Sequence, residues 1–230
     1  MIRPTIRCVL AIVSTLGLIS ASAYAMYPAA TSAVAQPRVL EAQAVPDWLG
    51  PLDFPEPPSE EDVFNDPGTP VLGNPSGDVS VVEFFDYHCP YCKVVAPELM
   101  QLIEEDPGVR LVLKDYPILS EDSVVGAKAA LAAAKQGRYR EMHQALMAYS
   151  GSFTRSAIEK IATAANVDPQ RLFTDMDGPD IQTQIQRHLD QGKGLGMRGT
   201  PGFIFGRMKV PGAISLEDMR ELVAEARRRK

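Results

Sequence analysis

Two hydrophobic periods meet in the middle of this chain. Val79–Phe85 is apolar on both faces, as a strand covered on both sides must be, with Glu83 the one exception. Just beyond it, Val95, Leu99, Leu102 and Ile103 recur at i, i+4, i+7 and i+8, the period of a helix with one buried face. Between them lies Cys89-Pro90-Tyr91-Cys92. A strand therefore delivers two cysteines to the first turn of a helix. Pro90 suits the first helical position, where its missing N–H is not needed. Pro97 falls inside the helix and predicts a kink, because it cannot donate to the Lys93 carbonyl. Val109–Leu113 is the next strand, so the pattern is β-α-β and predicts a right-handed parallel crossover. Upstream, Pro70–Pro75 reads as a short edge strand and a turn.

The chain then turns helical. Ser123 can cap a segment running through Lys135 and stopped near Gly137. Tyr139, Met142, Leu146 and Tyr149 mark a second helix, and Thr154 starts a third with Ile158, Ile161, Ala162 and Ala165 on one face. Asp168-Pro169 opens a short fourth as N-cap and first helical residue, and Ile181, Ile185 and Leu189 mark a fifth. No strand interrupts them, so residues from about 120 to 196 are expected to form an inserted helical subdomain. The sheet resumes within Gly199–Gly206 and then at Met208–Val210. A last helix follows, with Ser215 and Asp218 as a capping-box variant and Met219, Leu222, Val223 and Ala226 facing inward.

The N-terminal region adds context rather than fold. Arg3 and Arg7 precede an uncharged apolar run from Cys8 to Ile19, and Ala23-Tyr24-Ala25 is a small-x-small cleavage signal. Residues 1–25 are read as an export signal, which predicts a periplasmic or otherwise exported protein. An uncleaved membrane anchor is the alternative, although the apolar run is short of the ~20 residues that span a bilayer. Residues 26–68 are rich in Pro and Ala and read as a linker, with a helical turn around Arg38–Ala44 and with Trp48, Leu52 and Phe54 as residues that could pack. The folded domain is expected over 69–229. The linker has no sustained heptads, which points to a monomer. Hydrophobic content of 45% and charged content of 23% support a packed core. A net charge of -6 becomes -8 when Arg3 and Arg7 leave with the signal, so nucleic acid is not an expected partner.

The cysteine count sharpens the chemistry. Of three cysteines, Cys8 leaves with the signal, so Cys89 and Cys92 are the only thiols of the mature chain. A disulfide between them closes a tiny loop and adds little stability, so its use is redox exchange. The helix start carries unpaired N–H groups and about half a positive charge, both of which stabilise a thiolate. The rival is half a zinc site, but a structural zinc needs four ligands. Only His88, His143 and His188 remain to supply them, and the last two sit in the helical insertion with no obvious convergence. No metal and no cofactor are therefore expected. Thr200-Pro201, following Gly199, precedes an apolar strand. A cis bond there would turn the chain sharply and free the Thr200 backbone to pair with an extended peptide; an ordinary trans turn is the alternative.

Together these features resemble the thioredoxin superfamily, and within it the DsbA-like thiol–disulfide oxidoreductases. The resemblance runs from about residue 63 to 228. It rests on Val82–Lys93, on Gly199-Thr200-Pro201 and on the helical insertion between them. Leu72-Gly73-Asn74-Pro75 followed by Gly77-Asp78-Val79 is similar to the lead-in of the ScsC-like branch. The resemblance implies an α/β thioredoxin fold with an inserted α-helical subdomain. It implies Cys89 as attacking thiolate and Cys92 as resolving thiol. Glu83, six residues before Cys89, is where the family places a buried acid. On an apolar strand its pKa should be raised by desolvation, letting it shuttle the proton of Cys92; an exposed strand-edge Glu is the alternative. His88, Pro90 and Tyr91 flank or separate the thiols as tuning residues, and Thr200 and Pro201 would face the substrate. The implied partners are client proteins with thiols or disulfides and a membrane redox partner that resets the pair. Three functions compete: an oxidase, an isomerase or reductase of the same fold, and a copper-binding thiol protein linked to copper tolerance.

Overall fold

The computed structural model describes residues 57–230. The expected export signal, the expected turn around Arg38–Ala44, and Trp48, Leu52 and Phe54 lie outside these residues. Five strands form one mixed sheet: β1 (Val71–Gly73), β2 (Val79–Phe85), β3 (Val109–Asp115), β4 (Gly202–Phe205) and β5 (Met208–Pro211). Their spatial order is β1-β3-β2-β4-β5. β2 pairs in parallel with β3, Glu83 opposite Leu113, and antiparallel with β4, Glu83 opposite Phe203. β2 is thus central, which accounts for its apolar run on both faces.

Successive residues of β2 and β3 look to opposite faces of the sheet. Val79, Val81 and Phe85 join Val109, Leu111 and Leu113 in the larger core. That face carries α2 (Pro90–Glu105) and α8 (Leu216–Arg228), whose Met219, Val223 and Ala226 are buried. Val82, Phe84 and Val112 form a smaller core on the other face, with Val63 and Leu189. The insertion consists of α3 (Glu121–Ala134), α4 (Tyr139–Ala148), α5 (Arg155–Ala164), α6 (Pro169–Met176) and α7 (Pro179–Gly194). The chain has the thioredoxin-like fold with the expected helical insertion.

Local signals hold closely. Asp168 caps α6 with Pro169 at its first position, and Ser215 with Asp218 makes a full capping box on α8. Gly137 has φ +69°, and so ends its helix in the left-handed region that glycine tolerates. Pro97 lies within α2 without ending it. Three details differ. Ser120, not Ser123, caps α3, because the helix starts one turn earlier and the Ser123 N–H donates to the Ser120 hydroxyl at 3.1 Å. β3 runs on through Lys114 and Asp115, whose polar side chains mimic a strand end in sequence yet are fully buried. Within the expected linker, Glu60–Phe64 forms a capped helix, α1, that buries Val63.

The same segment explains Lys114. Its ammonium reaches Asp66 at 3.1 Å on the smaller-core face. The Asp66 carboxylate also accepts from Thr69 (3.0 Å), Gln184 (3.0 Å), Gln191 (3.2 Å) and Arg187 (2.6 Å). Burial alone would raise the Asp66 pKa, but Arg187, Lys114 and Thr69 outweigh it and hold the carboxyl below its ordinary value. This cluster clamps the lead-in segment and α7 onto β3.

Candidate active site

Cys89 is the N-cap of α2 and Pro90 its first residue. The Cys89 side chain makes no capping bond. Its thiol instead donates to the Thr200 carbonyl at 3.2 Å, in the loop that leads into β4. The Thr200–Pro201 peptide is cis, and Pro201 is buried directly before β4. Both cysteines are free thiols. Cys89 keeps 3% exposure and Cys92, inside the first turn, none. Cys92 is the deeper of the two, and Cys89 is itself far more sheltered than an attacking group on an open helix end. Burial, and then Glu83, push the Cys92 thiol well above its usual range.

Glu83 is fully buried. Alternation along β2 turns it to the same face as Phe85, toward α2 and the cysteines. Neither carboxylate oxygen has a hydrogen-bond partner among the described residues. Desolvation, with the charges of Cys89 and Asp115 behind it, raises its pKa to about 8. The exposed-edge alternative is thereby excluded.

The other expected residues divide. His88 lies beside the thiols, edge-on to Phe153 with ring centroids 4.9 Å apart, and its Nε2 is 3.6 Å from the Asp122 carboxylate. Pro90 and Tyr91 are exposed on the outer side of the first turn. Tyr91 does not cover the thiols. It joins Val94, Ile118 and Leu119 as the exposed large hydrophobic residues of the described chain.

Sequence reasoning missed Asp86. Its carboxylate accepts from the His88 N–H at 2.7 Å and from the N–H groups of Ile118 and Leu119 at 2.9 and 3.0 Å. It fixes the turn that carries Cys89 against the loop after β3. Lys93 was missed as well. Its ammonium donates to the carbonyls of Leu146, Met147 and Tyr149 at 3.3, 3.2 and 2.6 Å, closing the C-terminal end of α4. His143 is a third omission. It shares the buried face of α4 with Tyr139, Met142 and Leu146, so the helical period of that stretch contained the signal.

A strand-to-helix Cys-Pro-Tyr-Cys thus faces a cis-proline loop, with a buried acid on the strand that leads to it. The profile described as "DSBA-like thioredoxin domain" matches residues 80–224, and the chain belongs to that family. Among solved structures, a thioredoxin-like oxidoreductase from Silicibacter pomeroyi DSS-3 is 42% identical, with a TM-score of 0.72 over 74% of this chain and 99% of that one. The catalytic domain of Proteus mirabilis ScsC is 28% identical, with a TM-score of 0.67 over 72% of this chain and 93% of that one. A curated relative, the Na(+)/H(+) antiporter NhaA 1 of Salinispora arenicola, is 27% identical over 158 residues, 68% of this chain and 24% of the antiporter. The chain thus spans about a quarter of that relative's length. No helix among the described residues is long and apolar enough to cross a membrane.

Proposed function

We propose that the chain is an exported thiol–disulfide oxidoreductase that forms disulfides in client proteins through Cys89 and Cys92. The observation that carries this reading is the Cys89 thiol, set at the start of α2 and bonded to the Thr200 carbonyl, with Cys92 one turn deeper. A client thiolate attacks Cys89 of the oxidised pair. Cys92 leaves and takes a proton from Glu83. A second client thiolate then attacks the client sulfur of the mixed disulfide, and Cys89 departs as a thiolate stabilised by the helix start. The client dithiol becomes a disulfide and the Cys89–Cys92 pair is reduced. A membrane redox partner would reoxidise it.

Thr200 and Pro201 serve as the wall against which an extended client segment lies. The exposed Tyr91, Val94, Ile118 and Leu119 supply apolar contact beside it, suited to a client that has not yet buried its own hydrophobic residues. Replacing Cys89 by Ser should abolish exchange with a thiol client; retained exchange rejects the assignment. Replacing Cys92 by Ala should let the Cys89 thiolate attack a disulfide-bonded client and remain in a mixed disulfide that no Cys92 thiol resolves, visible by mass spectrometry. The direction is read from the equilibrium potential. A value near about -120 mV fits disulfide donation, and one near about -270 mV would make the protein a reductase.

A further inference from the structure

Every arginine among the described residues but one is already engaged. Arg110 reaches the Ser80 hydroxyl, Arg155 lies over the Phe173 ring, and the others pair with carboxylates. Arg198 is the exception. It is exposed, and its guanidinium has no partner among the described residues. It stands two residues before Thr200, whose carbonyl meets the Cys89 thiol. Arg198 shares a cleft of about 250 Å³ with Thr200, Pro201 and Pro211. The backbone on this side is open, since a Cβ placed on Gly196 or Gly199 would meet nothing within 4 Å. The N–H groups of Arg198, Gly199 and Thr200 find no backbone acceptor among the described residues. The loop before β4 therefore offers main-chain donors and an unpaired cation beside the reacting sulfur. The start of α3, the other element beside this turn, carries the acids Glu121 and Asp122, with Asp122 3.6 Å from His88.

The geometry points to Arg198 as a client-selecting residue, which takes an acidic side chain about two residues from the client cysteine. The inference rests on the client-oxidising role given above. An extended client that pairs with the Thr200 backbone brings its cysteine to Cys89. Side chains two positions apart on such a strand point the same way, about 7 Å apart. The client residue two places from the cysteine then falls beside the residue two places from Thr200, which is Arg198. A carboxylate there meets a guanidinium that gives up no other partner, whereas a lysine meets like charge. The chain as a whole has a net charge of -6, so its long-range field works against acidic clients. What Arg198 selects is a local acid, not an acidic protein. The pair forms at a wet rim, so its effect is modest and screened by salt.

Dithiol peptides that differ only in Asp or Lys two residues from each cysteine test this with the full chain. One pair carries the variable residue before the cysteines and a second pair carries it after them. Selectivity is the ratio of kcat/KM for the Asp peptide to that for the Lys peptide, so a general loss of activity in a variant cancels. Comparison with Arg198→Ala removes the intrinsic difference in peptide thiol reactivity. In one of the two pairs the wild-type ratio should be about fivefold above that of Arg198→Ala, with the difference in KM. Arg198→Glu should fall below Arg198→Ala, Arg198→Lys should stay above it, and about 0.5 M salt should bring all four ratios together. The same ratio in wild type, Arg198→Ala and Arg198→Glu for both pairs would overturn the inference while leaving disulfide formation intact. If the wild-type protein oxidises none of the peptides, the disulfide-forming role has failed and the selection falls with it.

Discussion

Lys114 and Asp115 are neighbours on β3, and both are fully buried, but they look to opposite faces of the sheet and live under opposite rules. On the smaller-core side, Lys114 meets a carboxylate that takes five polar donors. On the side of the cysteines, Asp115 and Glu83 keep three oxygens with no partner. Paired buried charge locks a segment in place, and removing one partner strands the other. Unpaired buried acid does the reverse. It adds no firmness, but it leaves a carboxyl free to change protonation within reach of Cys92. One strand thus separates a cluster built for holding from a cluster built for exchanging.

The largest expected effect lies in the holding cluster. Asp66→Ala leaves Lys114 uncompensated and should lower stability by about 3–5 kcal/mol in chemical unfolding. The fraction that still folds should exchange disulfides at the wild-type rate, because no residue of the cysteine site touches Asp66. A large activity loss per folded molecule would erase the distinction between the faces.

Glu83→Gln should do the opposite: exchange collapses while stability at pH 7 rises, by up to about 3 kcal/mol, because the neutral amide is spared the proton uptake that folding demands of Glu83 above pH 4.5. It should also change how stability depends on pH. The folded-state pKa of Glu83 is raised from 4.5 to about 8. The native state therefore keeps a proton that the unfolded chain releases above pH 4.5. Stability falls as pH rises through this window, by at most about 1.4 kcal/mol per unit, and levels off beyond pH 8. Glu83→Gln should flatten that slope, leaving the share that belongs to Asp115. Asp66 has the other sign: its lowered pKa contributes stability above the ordinary carboxylate range, lost as pH falls through the lowered value. An unchanged slope in Glu83→Gln would count against its raised pKa.

The smallest effect is the control. Arg220 pairs with Glu105 at 2.6 Å, but both side chains are largely in water. Arg220→Ala should leave both the unfolding midpoint and the exchange rate essentially unchanged. A shift like that of Asp66→Ala would mean that pairing matters irrespective of burial.

The contrast also marks what could be read from the chain. β2, the helix start at Pro90, the Thr200–Pro201 turn and the burial of Glu83 were all legible, because each follows from a local period or a backbone constraint of one residue. Asp66, Asp86 and Asp115 were not. Each is a single acid in a polar-looking stretch, and its meaning lies in distant donors: Tyr139 24 positions from Asp115, Ile118 32 from Asp86 and Gln191 125 from Asp66. Hydrophobic periodicity says which residues leave water. It is silent on which buried acid finds a partner, and that difference separates the two faces.

Lys93 carries a consequence for how such a protein can diverge. It stands one turn beyond Cys89, and its ammonium closes three carbonyls at the end of α4. The helical insertion looks like a detachable module, yet it shares this cation with the cysteine helix. Swapping in an insertion from a distant homologue would strand the ammonium and open those carbonyls at once. Insertion and cysteine helix are therefore expected to change together or not at all, as one unit of inheritance rather than two.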